Sequence, residues 1–406
     1  MRKWIVLLLA LALAAVLAAG CGEKPAEKAE KAEAPKTEAA APAAAPAPAA
    51  EAAAPAAPKG KVILGVPGAH SGDLASYGLP SLDAAKLVAK KYNDAGGVAG
   101  MEVEVLPADD QCKPEVATNA ATKLLSEHVT VILGHICSGA TKAALPFYTE
   151  AKIVTMSPSA TATELTQSGD YPTFYRTIGY DADQGRFAAK FTKDTLGAKK
   201  VAIIHDKGDY GRGFAEFAQK TLGELGGVDV VLFEGVTPGA VDYSAVVQKI
   251  KTSGAEAVIF GGYHPEASKI VMGMRKKNLD IPFVSDDGVK DDTFIKVAGE
   301  YAEGVYATGP EDLSANPMYQ QAIDEYKAAY NAEPGAFYAQ AYAAAQALLN
   351  AIDKAGSTEY DAIVKALHTE YVETPVGKIK FDAHGDAEGV GFSMYQVKNG
   401  QYVVVK

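Results

Sequence analysis

From residue 61 onward the chain alternates short, almost wholly apolar runs with longer stretches in which apolar residues return every three or four positions. Lys61 to Ala69, Glu102 to Asp110, Val129 to His135 and Lys152 to Ser157 are runs rich in β-branched and aliphatic residues, the pattern of strands buried on both faces. Between them Leu82 to Asn93, Glu115 to Ser126 and Thr141 to Glu150 carry helical periodicity, with lengths suited to crossovers in a parallel sheet. A second series repeats the scheme. Its strand-like runs are Lys200 to Asp206, Val228 to Glu234, Ala255 to Tyr263 and Ile281 to Asp286, separated by helical stretches at Gln184 to Thr195, Gly213 to Leu225, Tyr243 to Thr252 and Glu266 to Lys276. After Gly304 to Thr308 come a helix-rich block from Asn316 to His368, the strand-like Gly377 to Phe381, and a closing hairpin from Ser393 to Lys406 turning at Asn399-Gly400. Two such series predict an α/β protein with two similar, doubly wound parallel-sheet lobes.

The first sixty residues follow another pattern. Arg2 and Lys3 precede an apolar run from Trp4 to Ala18, short for a membrane span and suited to the core of a secretory signal. The run ends in small residues before Cys21, which resembles the lipobox of bacterial lipoproteins. That resemblance implies a cleaved signal over residues 1–20 and a diacylated Cys21 as the new N-terminus. The match is imperfect, because Ala18 stands where the pattern prefers Leu; ordinary signal cleavage that leaves Cys21 a free thiol is the alternative. Residues 22–60 hold 18 Ala and 7 Pro and no aromatic residue, so they cannot form a core. As extended chain the segment would span on the order of 120 Å. The expected organisation is a lipid-anchored linker over residues 21–60, followed by the folded part.

Composition narrows the function. A chain of 406 residues with 48% hydrophobic and 22% charged content has ample material for a core, and its net charge of −11 repels nucleic acid and anionic membrane. With Cys21 set aside, Cys112 and Cys137 remain, an even number in an exported chain. They suggest a disulfide, against the alternative of two buried thiols.

In doubly wound sheets ligands bind beyond the carboxyl ends of the strands, and here those ends are polar and aromatic. His70 to Asp73 and Tyr77-Gly78 follow the first strand, His135 to Gly139 the third, and Ser157 to Thr161 the fourth; the second series adds Asp206 to Tyr210, Tyr263, and Asp286-Asp287-Gly288. No glycine-rich phosphate loop follows a strand, which argues against a dinucleotide-binding enzyme or a nucleotide hydrolase. No nucleophile, base and orienter recur together, so no enzyme activity and no cofactor are expected. Helix N-termini bearing Ser138, Ser159 and Thr161 suit a carboxylate, and Asp287 with Tyr263 suits an ammonium. Together they imply a zwitterion. Each residue also has a plainer role: the hydroxyls as helix caps, Tyr77, Tyr210 and Phe337 as packing aromatics, and Asp286-Asp287 as a solvated turn. The histidines His70, His135, His205 and His264 near strand ends raise a metal site as an alternative to turn hydrogen bonds, and no metal is expected.

Seven segments carry a family resemblance: Ser71 to Gly78, Asp109 to Pro114 (DDQCKP), Gly134 to Ser138 (GHICS), Ser157 to Thr166 (SPSATATELT), His205 to Gly211, Gly261 to Glu266 (GGYHPE) and Gly335 to Ala344. In this order they resemble the leucine/isoleucine/valine-binding proteins of branched-chain amino acid ABC transporters. The resemblance implies the type I periplasmic binding protein fold, two α/β lobes joined by three crossover segments. The lobes would comprise residues 61–180 with 309–390 and residues 181–308 with 391–406. It further implies that Ser138 and Thr161, with the backbone of Ser159 and the adjoining Ala160, hold the ligand's α-carboxylate and that Tyr263 and Asp287 hold its ammonium. Tyr77, Ile136, Cys137, Tyr210 and Phe337 would surround the side chain, and Cys112 and Cys137 would form a disulfide. Two positions depart from the family pattern: Asp287 stands where Glu is usual, and Ser159 where Ala is common. The implied function is an exported, lipid-anchored monomer that captures Leu, Ile or Val and delivers it to the permease of an ABC importer. An amino-acid-binding sensor domain, or a binder of a related amino acid, is the alternative.

Overall fold

The computed structural model describes residues 60–405, which belong to one compact unit. The signal-like segment, Cys21 and the linker through residue 59 lie outside the described residues.

The first series builds β1 (Lys61–Gly68), α1 (Ala75–Asp94), β2 (Glu102–Asp109), α2 (Pro114–Ser126), β3 (Val131–Leu133), α3 (Ser138–Glu150), β4 (Thr155–Ser157), the single turn α4 (Glu164–Gln167) and β5 (Phe174–Arg176). Its five strands form one parallel sheet in the order β2-β1-β3-β4-β5. Residues alternate across it. Val62, Leu64 and Val66 face a core that also holds α1 and the later helices, whereas Ile63 and Ile132 face α2 and α3.

The second series runs α5 (Asp181–Lys190), which continues through a π-helical turn Phe191–Thr195, then β6 (Lys200–His205), α6 (Asp209–Leu225), β7 (Asp229–Gly235), α7 (Ser244–Ser253), β8 (Ala257–Gly261), α8 (His264–Lys276), β9 (Phe283–Ser285), α9 (Asp292–Ala298) and β10 (Tyr306–Pro310). The chain then forms α10 (Pro317–Tyr330), α11 (Tyr338–Ala355), α12 (Tyr360–Thr369), a small hairpin of β11 (Val372–Thr374) and β12 (Gly377–Ile379), and a final pair β13 (Phe392–Lys398) and β14 (Gln401–Val404). The second sheet has the order β14-β13-β10-β9-β8-β6-β7, parallel except where β13 runs against β10 and β14. The closing hairpin, which periodicity alone could not place, thus extends the second sheet. Helices α10 to α12 return to the first, since Tyr338, Leu348, Ile352 and Ile363 share a core with Val62 and Leu64.

Both sheets reverse direction of strand order at one place, between β1 and β3 in the first and between β6 and β8 in the second. At such a point neighbouring loops diverge and leave a crevice. The first turns of α1 and α6, after β1 and β6, carry Tyr77 and Tyr210, and the turns after β3 and β8 carry Ile136 and Tyr263.

Candidate functional site

Tyr77 sits on the first turns of α1, and its neighbour Gly78 explains how the ring reaches the crevice. A Cβ on Gly78 would lie 2.0 Å from the Ala69 carbonyl oxygen, so only glycine lets α1 approach the end of β1 this closely. The Tyr77 ring packs on Phe337 and Tyr263 with centroids 5.8 and 6.0 Å away, and Ile136 and Ile178 complete an apolar wall. Phe337 holds this place with φ 61, a left-handed conformation at the start of α11. Non-glycine residues are held in that region only where the surroundings fix them. Tyr263 in turn packs on Tyr210, centroid to centroid 5.2 Å.

Hydrogen bonds join the two lobes around these rings. The Tyr77 hydroxyl lies 2.6 Å from the Gly288 carbonyl and 2.6 Å from His264 Nδ1. It has one proton, which it donates to the carbonyl, so His264 Nδ1–H donates to it. Burial lowers the His264 pKa, consistent with a neutral ring. Nearer the surface Lys142 of α3 meets Asp209 of α6 at 2.9 Å.

The polar end of the cavity belongs to residues beyond β4 and β9. Asp287 is buried, and one of its oxygens accepts from the Tyr210 hydroxyl, which itself accepts from the Gly288 N–H at 2.8 Å. Its other oxygen, Oδ2, has no partner among the described residues, and neither does the Thr161 hydroxyl. Burial pushes the Asp287 carboxyl up to about 6, against the Tyr210 hydrogen bond that pulls it down. Asp286 is buried too, accepts from the Gly262 N–H at 2.7 Å, and is raised well above the usual carboxylate range by burial and by Asp287. The pair is therefore no solvated turn.

Tyr77, Ile136, Ser159, Tyr210, Tyr263, Asp287, Gly288 and Phe337 line one cavity with about 230 Å³ of empty space. The other expected residues surround it less directly. Ser138 opens α3, and its hydroxyl accepts from the Ala162 N–H at 3.1 Å, which leaves its proton free to donate. Ser159 donates its hydroxyl to the Ile136 carbonyl at 2.8 Å. Its departure from Ala is thus absorbed by backbone. Ala160 has its N–H on Ser157 and its carbonyl on Arg176, so it braces the loop. Cys137 is joined to Cys112, with Cα atoms 5.4 Å apart, which ties the turn after β2 to the start of α3. Two of the other histidines are held by hydrogen bonds: His135 bridges Asp110 and Tyr148, and His205 accepts from the Lys207 N–H. Among the described residues no cluster of metal-ligating side chains occurs.

A small, aromatic-walled cavity between two doubly wound lobes, polar at one end and with buried polar atoms left unpaired, defines a solute-binding protein. Residues 61–401 match the family model described as periplasmic binding protein, and the chain belongs to that family, whose members work outside the cytoplasm and bind solutes rather than transform them. It is 35% identical over 333 residues to the leucine-, isoleucine-, valine-, threonine-, and alanine-binding protein of Pseudomonas aeruginosa, covering 82% of this chain and 89% of that one. It is 34% identical over 330 residues to the Leu/Ile/Val-binding protein of Escherichia coli, covering 81% and 89%. Among solved structures, a leucine binding protein from Thermotoga maritima superposes with a TM-score of 0.79 at 28% identity, covering 85% of this chain and 98% of that one. A branched-chain amino acid transporter substrate binding protein from Streptococcus pneumoniae, in complex with isoleucine, gives 0.77 at 30% identity, covering 85% and 99%. Among the described residues no helix is long and apolar enough to cross a membrane.

Three features of the site escaped the sequence reading. Asp181 and Gln184 are fully buried beside Thr161 and Asp287, Gly288 supplies both a donor and an acceptor to facing tyrosines, and His264 pairs with Tyr77.

Proposed function

We propose that this protein captures branched-chain L-amino acids, Leu, Ile and Val, between its lobes and delivers them to the permease of an ABC importer. The observation that carries the reading is the division of one cavity into an end with an unpaired Asp287 oxygen and an end walled by Ile136, Tyr77 and Phe337 with no charge, with the Thr161 hydroxyl also buried and unpaired. Tyr263 and Asp287 receive the ammonium. Ser138, Thr161 and the backbone at Ser159 receive the carboxylate, while Ile136, Cys137, Tyr210, Phe337 and Tyr77 enclose the side chain. The likeness to relatives named for these amino acids supports the same choice. The moving bodies are residues 61–180 with 309–390 and residues 181–308 with 391–406. The protein acts as a monomer tethered to the membrane by a lipid on Cys21.

A thermal-shift screen of the twenty amino acids tests this, because a ligand bound only by the native state raises the melting temperature as its concentration exceeds Kd. Leu, Ile and Val are expected to give the largest shifts. A methylene more or less alters affinity by only about 1–3 kcal/mol, so the three should lie close together. A larger shift with glutamate or arginine than with all three overturns the choice of side chain.

A further inference from the structure

The loop between β4 and α4 carries Ser159, Ala160 and Thr161, and behind it lies Arg176, the last residue of β5. Arg176 is fully buried. A buried guanidinium is costly unless its donors and its charge are both met, and here they are. Its Nε donates to Asp386 Oδ1, its Nη2 to the Thr166 hydroxyl, and its Nη1 to the carbonyls of Ala160 at 3.2 Å and Ala162 at 2.9 Å. Asp386 is held in turn. Its second oxygen accepts from Thr166 at 2.9 Å and from Gln167 at 2.6 Å, and its neighbours pair with the Arg176 backbone, Gly385 accepting the N–H and Ala387 donating to the carbonyl.

This clamp fixes which way the loop peptides face. In a trans peptide the C=O and the N–H of the next residue point in opposite directions. With the Ala160 carbonyl turned back onto Arg176, the Thr161 N–H is directed to the other side of the loop, where it donates to none of the described residues. The next peptide is anchored separately: the Thr161 carbonyl accepts from the Asp181 N–H at 2.8 Å, and the Ala162 N–H donates to the Ser138 hydroxyl at 3.1 Å. Thr161 is thereby left with an N–H and a hydroxyl that no described residue engages. We propose that Arg176 is a positioning residue for ligand capture: from behind the loop, with Asp386 as its counter-charge, it aims the Thr161 N–H at the ligand's carboxylate without touching the ligand. The inference rests on the carboxylate being received at Thr161, as proposed above. A lysine would balance Asp386, but an ammonium presents its donors from one point and cannot span Asp386, Thr166 and two carbonyls as the planar fork does. The clamp also reaches the paths between the sheets. β5 is the last strand before the chain leaves the first sheet for the second, and Asp386 lies on the segment that later returns it to β13.

The test uses wild type, Arg176→Lys, Arg176→Met and Arg176→Met combined with Asp386→Asn, each carrying isotope-labelled threonine. It reads leucine affinity by titration calorimetry, the ligand-free melting temperature, and the movement of the Thr161 amide signal in the NMR spectrum on saturation with leucine. In wild type leucine should move that amide proton downfield, as a charged acceptor does. Arg176→Lys should weaken leucine by about 10- to 100-fold, the scale of a hydrogen bond to a charged group, and shrink the movement. Arg176→Met leaves Asp386 buried and unpaired, so it should melt lower than wild type, and adding Asp386→Asn should restore much of the melting temperature while leucine affinity stays reduced. A role in the framework alone makes the other pattern, affinity that recovers together with melting temperature, and that pattern overturns the inference. So does Arg176→Lys that keeps leucine affinity within about threefold and the full Thr161 movement. If leucine leaves the Thr161 signal of wild type unmoved, the carboxylate assignment itself fails and the inference with it.

Discussion

Acid should weaken ligand binding through Asp287, and the size of the effect follows from its surroundings. In the folded, ligand-free protein the carboxyl ionises at about 6, whereas its ordinary value is 3.8. Between those values the folded protein holds a proton that the unfolded chain has released. This group's contribution to stability is therefore fully present below about pH 4 and is lost as pH rises to about 6, a change of about 3 kcal/mol. The ligand's ammonium requires the ionised form. Below pH 6 binding must first expel the proton, and the affinity falls toward a tenfold loss per pH unit, so at pH 5 leucine should bind roughly tenfold more weakly than at pH 7.5. Several groups face Asp287 and titrate or carry charge themselves: Asp181, Asp286, Tyr210 and the half-buried Lys290, whose pKa is lowered by desolvation. The comparison with Asp287→Asn isolates the one that matters, since its affinity should be lower at neutral pH and flatter between pH 5 and 7. Calorimetry in two buffers of different ionisation enthalpy counts the protons released on binding, expected to approach one near pH 5 in wild type. A wild-type affinity that stays within twofold from pH 7.5 to 5, or a slope that survives unchanged in Asp287→Asn, would refute the assignment.

Two further outcomes test the frame around the site. Cys112→Ser should cost about 3 kcal/mol of stability by the chain-entropy argument and lower the melting temperature, as should reductant; an unchanged melting temperature in both would remove the Cys112–Cys137 bridge as a support. Tyr77→Phe strands the Gly288 carbonyl and His264 Nδ1, each worth about 1–3 kcal/mol when buried unpaired, so closure should require more ligand. Small-angle scattering should show wild type compacting with leucine and the variant compacting only at higher concentration; identical profiles with and without saturating ligand would mean no closure.

The alternation of buried strands with helical periodicity was legible along almost the whole chain, because parallel strands covered on both faces leave continuous apolar runs. Helix starts were less so, and in a consistent way. The pattern placed the first helix from Leu82, the third from Thr141, and those after β6 and β8 from Gly213 and Glu266, yet the helices begin at Ala75, Ser138, Asp209 and His264. The first turn of each faces the cleft rather than the core, so it carries polar residues and no apolar period. Pro80 within α1 added to the disguise. Strand β5, only Phe174–Arg176, is too short to show a run, and with it unseen the rule about strand ends could not point to Asp181. Asp287 and Ser159 were visible as departures from a family pattern, but their consequences needed geometry. The Ser159 hydroxyl ends on the Ile136 carbonyl, while the shortened Asp287 acquires Tyr210 and a carboxylate neighbour.

Binding and closure are linked by the same unpaired atoms. With the lobes together, Tyr77 and Lys142 make contacts that favour closure, the first through a buried hydroxyl and the second through an exposed ion pair worth at most about 1 kcal/mol. Against them stand the Thr161 hydroxyl and Asp287 Oδ2, one from each lobe and both buried without partners, which disfavour the same arrangement. A ligand that supplies an ammonium removes much of that opposition and leaves the favourable contacts in place. It therefore binds the closed form better than the open one, which is the one property by which any ligand shifts such an equilibrium. A solute with the same apolar side chain but no ammonium would fill the cavity and leave the opposition standing. On the proposed reading, selection for an amino acid head group and selection for the closed shape are one event at the polar end, while Ile136, Phe337 and Tyr77 at the other end decide which amino acid takes part.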